Sequence, residues 1–150
     1  MTVRKGTKED LPEVFKLIKE LADYEKASHE VEINLAQLEE DGFGEKPVYE
    51  FFIAENEKEI VGMALFYYRY STWKGKMMFL EDFVISEAFR RRGLGQLLFD
   101  HFLEEARRQG CRLVKWQVLD WNEPAVRFYE KQSATIEREW WNGKILFEPA

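Results

Sequence analysis

Apolar residues recur along parts of this chain at the three- and four-residue spacing of an amphipathic helix. The spacing predicts one helix from about residue 11 to Ala22 or Tyr24, and a second helical stretch within residues 27–46. A third helix of about four turns is predicted to follow Leu94, and a short fourth helix is predicted over residues 125–131. Each of these helices has an apolar face that another layer of the fold must cover.

The stretches between the helices predict β-strands, at residues 2–5, 49–55, 59–70, 77–85 and 112–119. The second and third strands are predicted to form a hairpin around residues 56–58, and Gly62 indicates a bulge in the third strand. Residues 135–147 are predicted to form two further short strands around Asn142-Gly143, because Asn-Gly favours a hairpin turn. This element order predicts an α/β (α+β) fold, a mixed central sheet flanked by helices on both faces, in a single domain over residues 1–150.

The charge and composition of the chain indicate which kinds of partner it can have. The net charge of −6 argues against a nucleic-acid partner and suits a cationic substrate better. The 12 Phe, 6 Tyr and 5 Trp residues exceed what a small core needs, so some are expected to line a cleft or an interface. The single cysteine, Cys111, cannot form an intramolecular disulfide and is interpreted as a buried apolar residue. With no secretion signal and no apolar run of about 20 residues, we expect a cytoplasmic protein without a membrane partner.

A basic loop with two glycines, residues 90–95, lies between the strand predicted over residues 77–85 and the third helix, and its spacing is R-x-x-G-x-G. The start of a helix has N–H donors without intrahelical partners and a partial positive charge, and glycines let the backbone approach an anion. The pattern therefore predicts a phosphate-binding loop; the alternative is a glycine-rich helix start beneath solvated arginines. His29 and His101 have no partners at ligand spacing, so no metal site is predicted.

Two motifs resemble those of the GNAT acetyltransferases, R-x-x-G-x-G after the fourth predicted strand and N-E-P-A-V-R-F-Y after the fifth. Further strings resemble the spermidine/spermine (diamine) N-acetyltransferase family in particular: LIKELADYEK, EDGFGEKP, LEDFVI and DWNEPAVRFYE. Together they cover the chain from about residue 17 to residue 131. The resemblance implies the GNAT fold and an acetyl-CoA-dependent N-acetyltransferase that acts on a primary amine of a small molecule.

The resemblance also implies which residues would hold acetyl-CoA. The pantetheine arm would hydrogen-bond to the backbone of Phe83, Val84 and Ile85. The pyrophosphate would lie against Arg90, Arg91, Arg92, Gly93, Leu94, Gly95 and Gln96. On its other side the cofactor would be flanked by Asn122, Glu123, Pro124 and Ala125, with Tyr129 next to them.

By the same resemblance, Glu81 is the general base and Tyr129 the general acid. An alkyl ammonium has a pKa of about 10.4 in water, so it must lose a proton before it attacks a thioester. A carboxylate can bind the ammonium and take that proton, and a phenol can protonate the departing thiolate. The alternatives are an ion-paired structural carboxylate at position 81 and a core aromatic paired with Phe128 at position 129.

The resemblance implies a larger set of residues for binding the amine: Tyr24, Glu25, Glu81, Asp82, Trp73, Lys115, Trp116 and Gln117. A solvated loop carboxylate is the alternative interpretation of Glu25. Successive residues of a strand point to opposite faces of the sheet. Glu81 and Asp82 can therefore bind one amine together only if a β-bulge intervenes.

Around Ser71 the chain departs from the polyamine-acetylating members of the family that it resembles. Those members have a motif like Y-D-P-W at this place, where this chain has Y-S-T-W. The strings S-T-W-K-G and V-L-D-W-N are similar to the thialysine N-acetyltransferase branch. We therefore expect thialysine or a related lysine-like amino acid as substrate, ahead of spermine or spermidine. The resemblance also implies a homodimer, which the surplus of aromatic residues supports. The alternatives are a peptide or protein N-acetyltransferase and a non-catalytic acyl-CoA-binding regulator.

Overall fold

The computed structural model describes residues 1–148 of the chain. Their elements follow in the order β1 (Thr2–Lys5), α1 (Leu11–Tyr24), α2 (Leu35–Phe43), β2 (Glu50–Asn56), β3 (Glu59–Ser71), β4 (Gly75–Ile85), α3 (Leu94–Arg108), β5 (Leu113–Trp116) and α4 (Glu123–Lys131). Residues Met1–Gln117 form one compact unit, and the residues from Val118 onward form a second. No helix within residues 1–148 is both long enough and apolar enough to cross a membrane.

The five strands form one mixed sheet in the order β1-β2-β3-β4-β5. The pairs β1–β2, β2–β3 and β3–β4 are antiparallel, whereas the pair β4–β5 is parallel. The β3–β4 ladder continues to the pair Gly62↔Ile85, but the β4–β5 ladder ends at Leu80↔Trp116. Residues 81–85 of β4 therefore extend beyond the last pair with β5.

Two β-bulges change the register of this sheet. Ala54 pairs with Gly62 and Glu55 with Ile60, so Val61 is the extra residue. This bulge lies beside Gly62, as the sequence predicted. The second bulge was not assigned from the sequence: Leu65 pairs with Asp82 and Phe66 with Leu80, so Glu81 is the extra residue in β4.

Helices cover both faces of the sheet, which confirms the predicted architecture. On one face α1 and α2 bury a core with strand residues; its members are Leu11, Val14, Leu17, Leu38, Phe51, Ile53, Met63, Leu65 and Val84. On the other face the α3 residues Phe99 and Phe102 make edge-to-face contacts with Phe83 and Phe66, each with ring centroids 5.7 Å apart. Alternating residues of the strands thus supply two separate cores.

Several element boundaries differ from the prediction. Within residues 27–46 only α2 and a 3-10 turn at Ser28–Glu30 are helical, because Asn34 starts α2 as a new helix by accepting a hydrogen bond from the Gln37 N–H (2.8 Å). The strand β5 ends at Trp116 rather than at residue 119. The prediction of two strands over residues 135–147 is wrong, because residues 134–148 contain no helix or strand. A short strand pair is marginal without a third strand or a helix to pack against, so the Asn-Gly turn signal alone was insufficient.

Candidate active site

The bulge at Glu81 places two neighbouring carboxylates on one face of the sheet. Asp82 is paired with Leu65, which belongs to the core beneath α1. Glu81 accepts a hydrogen bond at Oε1 from the Tyr67 hydroxyl (2.8 Å). Tyr67 follows Phe66, whose ring contacts α3, so Tyr67 and its partner Glu81 lie on the α1 side. The bulge that the sequence required for a shared role of Glu81 and Asp82 is therefore present.

A third carboxylate, Glu25, belongs to the same cluster. It is the first residue after α1, and its backbone N–H donates to the Leu21 carbonyl (2.9 Å). Burial raises the pKa of Glu25, and the charge of Glu81 raises it further. The pKa of Asp82 is about 7, because burial and then the charges of Glu81 and Glu25 oppose its ionisation. Three crowded carboxylates, here called the acidic cluster, create a strong preference for a cation beside them.

The loop of residues 90–95 has the backbone form of an anion site. Arg91 (φ 65°) and Gly93 (φ 80°) both have left-handed backbone conformations. Gly93 is the N-cap of α3, and a Cβ atom built there would have no neighbour within 4 Å. A left-handed conformation costs a residue other than glycine about 1–2 kcal/mol. Strain of this kind often accompanies function, and here it lies at the start of α3, where a helix has N–H donors without intrahelical partners.

Arg90 connects this loop to the end of α1. Its Nε donates to the Ile85 carbonyl (2.9 Å), and its guanidinium lies 3.9 Å from the Glu20 carboxylate. The same guanidinium lies 5.4 Å from the centroid of the Tyr24 ring. Glu20 also accepts a hydrogen bond from the Glu87 N–H (3.2 Å). The structure thus brings the predicted amine-side residue Tyr24 next to the predicted cofactor loop, through a contact that sequence reasoning did not identify.

Four further predicted residues of the first unit lie on or after β5, which pairs with β4, and in the turn before β4. Lys115 pairs with Phe79, and the Trp116 ring lies edge-on to Phe99 with centroids 5.5 Å apart. Gln117 is the exposed residue that follows β5. Trp73 is 83% exposed in the turn before β4. Six residues of strand, about 20 Å, separate Gly75 at that turn from Glu81, so Trp73 is not brought to the acidic cluster.

Ser71 contributes to the same turn. Its Oγ accepts hydrogen bonds from the backbone N–H groups of Trp73 (3.3 Å) and Lys74 (3.0 Å). A serine hydroxyl can stabilise a turn in this way without adding charge. The hydroxyl at this position therefore serves the β3–β4 turn, and no carboxylate is present there to hold a distant cation.

A groove of about 620 Å³ has one lining residue that also contacts the acidic cluster. Tyr67 lines the groove and also donates to Glu81, so the two features share one side chain. Further lining comes from α2, the segment before β2 and β2 itself, with Phe43, Val48, Tyr49 and Phe51. The groove is therefore largely aromatic and apolar, although the ion pair of Lys5 and Glu50 also lines it, and its apolar part suits the carbon chain of a small molecule.

The predicted residues of the second unit lie at the start of α4 and within it. Asn122 is the N-cap, and its Oδ1 accepts a hydrogen bond from the Ala125 N–H (3.4 Å). Glu123 and Pro124 form the first turn. Tyr129 is 7% exposed, and its ring lies edge-on to Phe128 with centroids 5.5 Å apart. The aromatic pairing with Phe128, which the sequence offered as the alternative for position 129, is therefore present. The acid role of the Tyr129 hydroxyl stays a prediction.

Comparison with known proteins identifies relatives for this chain. Residues 11–133 match the model of the acetyltransferase (GNAT) family. The chain is 37% identical over 150 residues to the thialysine N-epsilon-acetyltransferase of Bos taurus, with 93% of this chain and 88% of that protein covered. It is 39% identical over 124 residues to the enzyme of the same name from Caenorhabditis elegans, with 83% and 76% covered.

A solved structure shows the same fold at lower identity. An aminoglycoside acetyltransferase from an uncultured soil metagenomic sample superposes with a TM-score of 0.79 at 18% identity. The match covers 98% of this chain and 96% of that chain. At this level of identity the likeness concerns the fold alone, and it agrees with the mixed sheet and helix order described above.

Proposed function

This chain belongs to the acetyltransferase (GNAT) family, and we propose that it is an N-acetyltransferase for the side-chain amine of thialysine or a related lysine-like amino acid. The acidic cluster of Glu25, Glu81 and Asp82 is the observation that carries this proposal. Crowded carboxylates attract an ammonium group, because its charge relieves their mutual repulsion. The relatives named thialysine N-epsilon-acetyltransferase support an amine of this size.

The proposed donor is acetyl-CoA, which supplies the thioester. Its pyrophosphate would lie against the loop of residues 90–96 at the start of α3, where the left-handed backbone and the open space at Gly93 fit an anion. The backbone of residues 83–85, beyond the last β4–β5 pair, is proposed to follow the pantetheine arm. Asn122 and the first turn of α4 are proposed to flank the cofactor.

Glu81 is the proposed general base. The ammonium of the substrate would first be held by the acidic cluster, and Glu81 would then take one of its protons directly or through water. Tyr129 is the proposed general acid, whose hydroxyl would donate a proton to the departing thiolate. Its burial supports a fixed orientation of the ring.

The substrate form that we propose has one side-chain ammonium at the end of a carbon or thioether chain, whose other end carries an α-ammonium and an α-carboxylate that together have no net charge. Ser71, with its hydroxyl engaged by the β3–β4 turn, provides no carboxylate for the distant nitrogens of a polyamine. The apolar groove that begins at Tyr67 offers room for a carbon or thioether chain. Together these observations favour a lysine-like amino acid over spermine.

The proposal is tested by acetyl-CoA-dependent thiol release against a panel of amines. The panel contains thialysine, lysine, ornithine, putrescine, spermidine, spermine and a lysine-terminated peptide. We expect kcat/KM for thialysine to exceed that for spermine by at least about tenfold, which corresponds to about 1.4 kcal/mol. A preference for polyamines would contradict the role assigned to Ser71. Preference for the peptide would favour a peptide N-acetyltransferase, and acetyl-CoA binding without thiol release would favour a non-catalytic regulator.

We further propose a homodimer and a single domain over residues 1–150. The support for the dimer is a row of exposed apolar side chains near the C-terminus, including Trp141 (93% exposed) and Phe147 (87% exposed). Exposed aromatic residues are common in protein interfaces. The cytoplasmic location stays a prediction that rests on the single cysteine.

A further inference from the structure

We propose that Tyr67 is a positioning residue of this enzyme, whose hydroxyl holds the Glu81 carboxylate in the orientation that receives the proton of the amine. The inference rests on the proposed function, because it assumes that Glu81 is the base. It starts from the hydrogen bond between the Tyr67 hydroxyl and Glu81 Oε1 (2.8 Å). Within residues 1–148 this hydroxyl is the hydrogen-bond donor that contacts Glu81. The second carboxylate oxygen, Oε2, is therefore available to the amine substrate.

Glu81 needs such a support because of its place in the sheet. It is the extra residue of the β4 bulge and has no partner in the β3–β4 register. Its side chain is exposed. A glutamate side chain that is fixed in one rotamer loses conformational entropy. A hydrogen bond to the ionised carboxylate offsets part of that loss before the substrate binds.

The donor itself is held in place by aromatic packing. The Tyr67 ring stacks on the Phe79 ring with centroids 5.5 Å apart and an interplanar angle of 30°. Phe79 is 5% exposed, and the Arg69 guanidinium lies 4.4 Å from the centroid of its ring. A tyrosine has only two side-chain torsions, and packing of the ring against Phe79 on the neighbouring strand restricts χ1, the torsion that moves the hydroxyl. The hydroxyl therefore occupies a fixed point relative to β4.

The electrostatics keep the phenol a donor. Burial, followed by the hydrogen bond and charge of Glu81, raises the pKa of Tyr67 to about 12, so its proton stays on the phenol at neutral pH. The other charged groups that face this pair are Glu25 after α1, Asp82 on β4 and Arg69 on β3. Two of these three, Glu25 and Asp82, are carboxyl groups of the acidic cluster. A hydrogen bond to the charged form of a carboxylate favours that form.

The Tyr67→Phe variant tests this role, because it removes the hydroxyl and keeps the stacked ring. We expect kcat/KM for the amine to fall about 10- to 100-fold, the range for a lost hydrogen bond to a charged group. The KM for acetyl-CoA should change less than about twofold. The acid limb of the kcat/KM pH profile should move to higher pH, because the variant lacks the hydrogen bond that stabilises the ionised carboxylate over its protonated form. A purely structural role would not move that limb.

A matched control and a double variant complete the test. Tyr70→Phe removes a hydroxyl from the same strand at a residue that is 75% exposed, and it should leave the kinetics and the pH profile unchanged. In a Glu81→Gln background, Tyr67→Phe should cause little further loss, because the two residues act as one unit. An impaired Glu81→Gln enzyme with an unaffected Tyr67→Phe enzyme would overturn this inference alone. An unaffected Glu81→Gln enzyme would overturn the proposed base itself.

Discussion

Asp82 lies where the protein environment opposes the ionisation of a carboxyl group. Burial, then Glu81 and then Glu25, raise its pKa from 3.8 to about 7. An acid whose pKa is higher in the folded state binds its proton more tightly there. The folded state is therefore favoured below the pKa of the unfolded chain, and this contribution is lost as the pH rises through 7.

We therefore predict that Asp82→Asn stabilises the protein at alkaline pH. The amide removes the buried charge, so the free energy of unfolding at pH 8.5 should increase. This gain should exceed the gain at pH 5 by about 2 kcal/mol, because Asp82 is already protonated in the folded state at pH 5. Denaturant unfolding at both pH values measures the difference. Asp120→Asn, at an exposed position, is the control and should show no such pH dependence.

A gain for Asp82→Asn that is equal at pH 5 and pH 8.5 would show that the pKa of Asp82 is close to its ordinary value. The same variant should weaken amine binding, because it removes one carboxylate of the acidic cluster. Stability and binding thus oppose each other at this residue, as expected where a protein holds charges together for a ligand.

At the scale of elements, the start of α3 combines two left-handed residues with a helix N-terminus. Gly93 (φ 80°) begins α3, and Gly110 (φ 75°) follows its end. A Cβ atom at either glycine would have no neighbour within 4 Å. The two glycines therefore have similar backbone conformations but lie at opposite ends of α3. A substitution at Gly110 is thus a control for the same substitution at Gly93.

We predict that Gly93→Ala and Gly110→Ala cost similar stability but differ in cofactor binding. Each alanine in the left-handed conformation should lower the free energy of unfolding by about 1 kcal/mol. Only Gly93→Ala should weaken the binding of acetyl-CoA, with a Kd raised about tenfold or more. The reason is that its methyl group would occupy the space proposed for the pyrophosphate. Calorimetric titration with acetyl-CoA measures this. Equal affinities in the two variants would place the pyrophosphate elsewhere.

The elements show which features the sequence could predict. The loop of residues 90–95 was found because its signal is local: two glycines, three arginines and an apolar series that starts at Leu94. The helix faces and β1 to β4 were predicted from periodicity for the same reason. The hairpin predicted over residues 135–147 was wrong, because a two-residue turn signal does not supply the packing that strands require.

The bulge at Glu81 shows what periodicity cannot supply. Strict alternation would have placed Glu81 and Asp82 on opposite faces. Their common face depends on how β4 pairs with β3, which is a contact between residues 14 or more positions apart, as Tyr67 and Glu81 illustrate. Tyr67 was missed for this reason, since nothing in the sequence around it marks it as the partner of Glu81.

At the scale of the whole molecule, charge is distributed unevenly. The chain has a net charge of −6. Three consecutive arginines nevertheless lie at the loop before α3, and the acidic cluster lies on the α1 side of the sheet. The proposed anionic cofactor and cationic substrate would therefore each meet charges of the opposite sign. The contact between Arg90 and Tyr24 connects the basic loop to the end of α1, where Glu25 of the acidic cluster lies.

The last feature at this scale is the apolar surface near the C-terminus. Residues 134–148 contain no helix or strand, and the side chains of Trp140, Trp141, Ile145, Leu146 and Phe147 are between 65% and 93% exposed. Several large apolar side chains exposed within a short segment are a feature of protein interfaces. We therefore predict that the protein sediments as a dimer at micromolar concentration.

Charged substitutions within this surface should dissociate the dimer. In Trp141→Glu and Phe147→Glu, buried interface aromatics would be replaced by carboxylates, at a cost of about 2 kcal/mol or more each, or about thirtyfold in Kd. Sedimentation velocity across a concentration series measures the shift to monomer. Tyr70→Glu, at an exposed position on β3, should remain dimeric. A monomer for the unsubstituted chain would refute the dimer, and a dimer that survives both substitutions would move its interface away from this surface.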